Sequence, residues 1–335
     1  MSTKDQILRY LKENKGGWVS GEFLSLKANV SRSAVWKHML RLKEEGYVIE
    51  SSRKKGYALL RSSDLLLGSE VQEGLKTHIF GKQKVFHHLE TDSTNLRAKI
   101  LADQGAPEGT LIVAEGQTGG RGRRERSWFS PAGKGIYASL ILRPALPPNE
   151  APRLTLLTAV VAAEALLALA PVPVRIKWPN DITVGGKKLA GILTQVSTEI
   201  DVLDYVVVGL GVNVNIAEED FPDDLRDSAT SLLIETGATH PRIDLLRLYL
   251  EAFEVWYDRF RLSGFPSVLE RWKELSDVIG RNVSVHTFNR RYTGEVLDVD
   301  PDGALILRDR EGALQKILAG DIFFSDRGRR EGTDG

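Results

Sequence analysis

Cysteine is absent from all 335 residues. That excludes disulfides, thiolate nucleophiles, zinc–cysteine sites and iron–sulfur clusters. Neither sign of charge is in excess, since 45 lysines and arginines balance 45 aspartates and glutamates. A uniformly basic nucleic-acid coat and an acidic solvating tail are both ruled out. Long apolar runs are missing too. The greasiest stretch, 154–170, carries Glu164 and stops at Pro171, which predicts a buried helix and not a membrane span. The opening MSTKDQILRY has no apolar signal region. The chain is therefore expected to be soluble and cytoplasmic, with no membrane partner.

What is present is unevenly spread. Residues 1–62 hold 13 basic and 6 acidic side chains, a net +7, and the remainder carries −7. Such a split points to a small module facing something anionic, attached to a body with other work. The length predicts two or three domains, and the 42% apolar share supplies a core. Only 328–335 reads as disordered.

Residues 4–60 alternate helix and turn. Ile7, Leu8 and Leu11 make an apolar stripe, and Gly16-Gly17 closes that helix. Ser20 opens a second helix with Phe23, Leu24 and Leu26 expected inside. Ser31-Arg32-Ser33 opens a third, with Val35, Met39 and Leu42 facing the first two. Residues 47–50 and 57–60 flank the basic tip Ser51–Gly56 and read as a β-hairpin. Helix-turn-helix plus hairpin is a winged helix. Its third helix turns Arg32, Ser33, Trp36, Lys37 and Arg41 outward, and its wing offers Arg53 and Lys54. A helix fits the major groove with basic side chains on phosphates, so operator DNA is the expected partner. A protein-contact or vestigial winged helix is the alternative.

After a linker at 61–64, residues 66–275 predict one mixed α/β body. Strands are expected at 84–89, 110–115, 135–142, 174–177, 192–197 and 205–214, and helices at 93–104, 154–170 and 243–261. Residues 278–326 switch to short strands with Asp-Gly-type turns and predict a small β-barrel.

Two motifs carry chemistry. Gln117-Thr118-Gly119-Gly120-Arg121-Gly122-Arg123-Arg124-Glu125-Arg126-Ser127-Trp128 packs four arginines into six residues. They repel one another unless something anionic sits among them, and the glycines let backbone approach a ligand. Spacing alone leaves a phosphate or carboxylate site, a solvated surface loop and an RGG-like RNA segment open. No Gly-Lys-Ser/Thr follows, so it is not a P-loop. The second motif is Lys177-Trp178-Pro179-Asn180-Asp181, with Lys188-Leu189-Ala190-Gly191-Ile192-Leu193 a turn later. The hairpin between them brings Asp181 near Lys188. Asp181 then suits a magnesium ion or a base, and the pair also suits a plain surface ion pair.

Read together, GRGR at 120–123, KWPND at 177–181 and KLAGIL at 188–193 resemble the bifunctional biotin protein ligases, the biotin operon repressor family. With Asp92-Ser93-Thr94-Asn95 and the 209–215 segment the resemblance covers nearly the whole chain. One departure is Glu125, where the family's GRGRxGRxW has glycine. The resemblance implies an α+β multidomain protein: a winged helix-turn-helix, a central ligase domain of the class II synthetase kind, and an SH3-like C-terminal domain. It implies a biotin–carrier-protein ligase that uses biotin and MgATP to make biotinyl-5′-adenylate, then acylates a lysine of a carboxylase's biotin carrier domain. Ser93, Thr94, Asn95, Gln117, Gly120, Arg121, Gly122, Arg123 and Lys188 would bind biotin and its activated carboxylate. Arg123, Trp128, Asn180 and Asn213 would meet the nucleotide. Arg123, Lys188 and Asp181 would be the catalytic set, with Asp181 at the metal. Phe221 and Leu225, within the acidic 217–228 segment, would close on adenine. The adenylate would order the arginine loop and favour a homodimer that sets two winged helices on a two-fold DNA site. His87 and His88 are assigned to structure. Two other readings remain at this point: a biotin sensor without ligase activity, and a lipoate ligase.

Overall fold

A computed structural model describes residues 2–199 and 202–324, with only the backbone of Glu199. The tail expected to be disordered, 328–335, lies outside them. The chain forms two compact units, divided after Glu73.

The first unit holds α1 (Thr3–Glu13), α2 (Gly21–Lys27), α3 (Arg32–Glu44), the hairpin β1 (Val48–Ser52) and β2 (Gly56–Arg61), and α4 (Gly68–Gln72). Serines start each of the first three helices: Ser2, Ser20 and Ser31 accept from backbone N–H groups that would otherwise be orphaned. Ile7, Leu11, Leu24, Val35, Met39 and Leu42 close the core with Ile49 and Leu59 from the hairpin. Two expected core residues of α2 are outside. Phe23 is 39% and Leu26 75% exposed, because positions 23, 24 and 26 cannot share one face of a short helix. The unit also runs beyond the expected linker. Ser63, Leu66 and Val71 are buried, Tyr47 donates to Glu70, and Lys12 lies 2.6 Å from the same carboxylate.

The second unit is built on a seven-stranded sheet. In chain order come β3 (Val85–Thr91), α5 (Thr94–Asp103), β4 (Leu111–Gln117), β5 (Gly135–Leu142) and α6 (Ala151–Leu169). Then follow β6 (Arg175–Lys177), β7 (Asp181–Val184), β8 (Lys187–Glu199), β9 (Val202–Asn213), α7 (Leu232–Thr236), α8 (Arg242–Ser263) and α9 (Pro266–Leu275). Spatial order is β3-β4-β5-β9-β8-β7-β6, with β3–β4 parallel and the remaining pairs antiparallel. α5 lies on one face, where Ala98 and Ala102 meet Ile112, Ile141, Tyr205 and Val207. The opposite face is covered by α6, with Thr155 hydrogen-bonded to Thr194 at 2.9 Å, and α8 and α9 pack on α6. The helical stretch 148–169 is long and apolar enough on average to cross a membrane by length and composition, yet most of it is buried in this packing, as the sequence predicts for a core helix.

The last strands, β10 (Asn282–His286), β11 (Arg291–Val299), β12 (Leu305–Asp309), β13 (Leu314–Ile317) and β14 (Asp321–Phe324), form an antiparallel sheet ordered β13-β12-β11-β10-β14. The sequence predicts a barrel; among the described residues β13 and β14 remain edges. Trp178 ties this sheet to the body, its Nε1 donating to Gly303 O at 3.1 Å, with Lys273 paired to Asp298 at 2.7 Å.

One buried carboxylate closes the start of the second unit. Glu254 on α8 accepts from the backbone N–H groups of His78, Ile79 and Phe80 at 2.5, 3.0 and 3.2 Å. Phe80 is thereby held edge-on against Phe253 and Tyr257. Glu254→Ala is expected to lower stability by about 3 kcal/mol, since several buried donors lose a charged acceptor together. A denaturant midpoint equal to wild type would show that the carboxylate is dispensable.

Candidate functional site

Strand register builds the site. Residues 209, 211 and 213 alternate onto one face of β9. Gly191 pairs with Gly211 and Leu193 with Gly209, and Asp181 pairs with Gly191 on the other side. Lys188 is three residues from Gly191 and would point to the opposite face of a regular strand. The β7–β8 register shifts between Ile182 and Thr183, and this bulge turns Lys188 onto the Gly191 face. Its Nζ then lies 2.7 Å from Asp181 Oδ1.

Two glycines make the floor flat. A Cβ on Gly211 would meet the Trp128 ring at 2.5 Å, and one on Gly191 would meet it at 3.0 Å. The indole lies along this floor with the Lys188 ammonium 5.3 Å from its centroid. Its Nε1 is buried without an acceptor among the described residues. Above the floor is a cavity of about 550 Å³, a size that suits a small-molecule ligand. Every predicted ligand residue lines it except Gly120. Gly120 sits beneath the loop, where a Cβ would strike Trp128 O at 2.6 Å.

At one end of the cavity is the N-terminus of α5. Thr94 N donates to Gln117 Oε1 at 2.8 Å, and Gln117 Nε2 donates to Ser130 at 2.9 Å. Asn95 is committed to the sheet: Nδ2 donates to Leu193 O and Gln195 Oε1, both at 3.1 Å, and Oδ1 accepts from Ser139 at 2.7 Å. The Ser93 hydroxyl has no hydrogen bond among the described residues. Of this polar trio, Ser93 is therefore the side chain open to a ligand.

At the other end is the arginine loop. Arg123 donates to Asn180 Oδ1 at 3.1 Å and to Gly320 O at 3.2 Å. Burial pulls its pKa below the usual guanidinium value; Asp321 and Asp181 oppose this, and Arg124 and Arg126 reinforce it. The 214–230 segment supplies the third side. Phe221 packs against Phe129 at 6.0 Å and, with Leu225 and Asp227, lines the cavity. Asn213 is held by Thr230 O at 3.0 Å. His87 and His88 lie outside, as expected: His87 bonds Glu115 at 2.8 Å, and Glu115 pairs with buried Arg242.

Lys177, Arg126, Asp227, Asp321 and the glycine pair Gly191–Gly211 line the cavity; apart from Asp321 they lay in motifs or segments read from sequence, but none was assigned a ligand role there. The glycines had a signal, since two of them face each other only if KLAGIL and 209–215 pair as neighbours. Asp321 had none. In the first unit, Arg32, Ser33, Trp36, Lys37, Arg41, Arg53 and Lys54 are all exposed, though Arg32 pairs with Glu22 at 2.8 Å.

Comparison with known proteins points to one family. Residues 89–213 match the biotin/lipoate A/B protein ligase family, 3–58 an HTH domain and 278–325 the biotin protein ligase C-terminal domain. The bifunctional ligase/repressor BirA of Bacillus spizizenii is 42% identical over 95% of this chain and 98% of its own length. That of Escherichia coli is 30% identical over 92% of this chain and 93% of its own. The biotin protein ligase of Aquifex aeolicus in complex with biotin and ATP superposes with a TM-score of 0.63 at 29% identity, covering 72% of this chain and 99% of that one.

The flat floor can be tested without knowing the ligand. Gly211→Val places branched carbon where the indole lies, so Trp128 should move into solvent. The acrylamide quenching assigned to Trp128, by difference from Trp128→Phe, should rise in the Gly211→Val background. Quenching equal in both backgrounds would show that the indole is not seated on Gly211.

Proposed function

Since the chain belongs to the biotin protein ligase family, in its bifunctional ligase/repressor form, we propose that its cavity activates biotin with ATP and delivers the biotinyl group to a lysine of a biotin carrier domain. The winged helix makes the same chain a biotin-responsive repressor of operator DNA. One observation carries the ligase reading. A glycine-floored slot leads from the α5 N-terminus to a cluster of Arg121, Arg123, Lys177 and Lys188.

The chemistry requires that arrangement. In the first step the biotin carboxylate would attack the α-phosphorus of ATP, and pyrophosphate would leave as the α–β bond breaks. This joins two anions that repel until cations sit between them. The fused ring of biotin would lie near Ser93 and Gln117, its acyl chain along Gly209 and Gly211, and its carboxylate at Lys188. Lys188 would leave Asp181 for the carboxylate and the developing phosphoryl charge. Arg121 and Arg123 would hold the adenylate, with Asn180 positioning Arg123. Asn213, Phe221, Leu225 and Asp227 would receive the nucleoside. Trp128 would shield the mixed anhydride from water, and the acceptor amine would then attack its carbonyl carbon as AMP departs. No covalent intermediate on the protein is needed.

Magnesium fits as part of the nucleotide substrate. Asp181 offers one carboxylate at the wall, and among the described residues no group of three potential ligands gathers. Such a donor set suits an ion that keeps several waters and takes its remaining ligands from phosphate oxygens. A homodimer and a cytoplasmic location belong to the same reading.

Incubation with biotin, MgATP and a carrier domain tests the enzyme, with lipoate as a parallel arm. Absence of biotinylated carrier would sink the claim, and transfer of lipoate in its place would redirect it. Arg123→Ala is expected to shorten the lifetime of bound adenylate by on the order of tenfold, as loss of a charged hydrogen bond does. Bystander lysines should then be labelled; labelling confined to the carrier would assign retention elsewhere. Operator affinity, read by gel shift with biotin and ATP, should fall steeply with salt, roughly one power per phosphate neutralised. A flat response would remove DNA from the function of the +7 module.

A further inference from the structure

The arginine loop carries strain and crowding that its own residues do not relieve. Arg124 has φ 53° and ψ 42°, and Glu125 follows with φ 60°, so two consecutive non-glycine residues are left-handed. Local backbone support is limited to a few bonds, such as Gly122 N to Arg126 O at 2.6 Å. Arg123, Arg124 and Arg126 also bring three like charges together. What gathers them is one carboxylate far away in sequence. Asp321 Oδ2 lies 2.5 Å from Arg126 and 3.2 Å from Arg124, and Oδ1 lies 3.8 Å from Arg123. The Asp321 side chain is only 14% exposed. It sits opposite His286 on a rung of the C-terminal sheet. The same rung supplies His286 O to Arg124 at 2.8 Å, and Gly320 O next to it accepts from Arg123.

From this arrangement we infer that Asp321 is a positioning residue of the arginine loop. Its carboxylate stands in for a phosphoryl group, keeping the cations over the cavity mouth until the nucleotide arrives. Three guanidiniums to one carboxylate leave the cluster cationic, so it still attracts an anion. A phosphate chain brings more negative charge than Asp321 and takes over the arginines, while the sheet that carries Asp321 stays in place. The role rests on the proposed ligase reading for the identity of that phosphate. The part played by Asp321 in the free protein does not depend on it.

Limited trypsin digestion of the full chain tests this, because trypsin cuts after the arginines in question. Cleavage at 121–126 is followed by mass, with and without biotin plus MgATP, in wild type, Asp321→Asn and Asp321→Glu. Without ligand, the loop of Asp321→Asn should be cut roughly tenfold faster, the scale of a local opening that has lost its charge-assisted bonds. Asp321→Glu should stay near wild type, and ligand should restore protection to Asp321→Asn. A loop in Asp321→Asn cut at the wild-type rate would overturn the inference. So would cleavage that spreads into the C-terminal sheet, or a loop that ligand protects in wild type but not in the variant. If ligand fails to protect wild type, the ligase reading and the hand-over to phosphate both fall. The free-protein comparison alone then decides whether Asp321 holds the loop.

Discussion

Joining two anions is the constraint that shapes the second unit. Cations have to be concentrated at one place, and concentrated cations repel unless the fold supplies counter-charge at intervals. The wall meets this with alternation: Lys188 beside Asp181 at 2.7 Å, and Arg126 beside Asp321 at 2.5 Å. In the proposed reaction each carboxylate keeps a cation ordered and would yield it to a ligand that carries more charge. None of these pairs is deeply buried, with Lys188 36% and Arg126 64% exposed. Solvent screening therefore makes them weak stabilisers. That weakness suits the proposed reaction, because a cation locked in a dry ion pair could not be handed to a substrate.

Positional accuracy comes instead from the backbone. The β7–β8 bulge aims Lys188, and the Gly191–Gly211 rung sets the depth at which Trp128 lies. These features are formed by ladder hydrogen bonds in the middle of the sheet and do not depend on ligand. The parts that the proposed reaction asks to adjust, the arginine loop and the 214–230 segment, are the irregular connections around it.

Much of this was legible in the sequence, and the failures have causes. Regular elements are read from periodicity, so the third strand of the body, 135–142, appears where it was expected. The hairpin linking KWPND to KLAGIL is local, so the Asp181–Lys188 pair could be anticipated. Phe23 and Leu26 were misplaced because a two-turn helix offers too few residues for its period to speak. The ligand set was incomplete wherever it depended on contacts between remote segments. Asp321 follows Arg126 by 195 residues, and a lone aspartate near the chain end has no pattern that marks it. The glycine rung lay between these cases, because its meaning depends on which two strands are neighbours.

The departure at Glu125 gains its explanation from the same geometry. The family resemblance places glycine there, and the backbone shows why, since φ is 60° and glycine reaches that region without the Cβ clash. Glutamate in its place disfavours the turn by about 1–2 kcal/mol. Arg124 beside it adds a second left-handed residue. A loop with glycine could hold this shape with little help. In this chain the turn depends on what grips the flanking arginines Arg124 and Arg126, namely Asp321 and His286 O from the C-terminal sheet, while Arg123 is held by Gly320 O and Asn180. On the inference that Asp321 positions the loop, the substitution shifts control of the loop from its own backbone to a neighbouring sheet, and the state of that sheet would be coupled to the ordering of the proposed adenylate site.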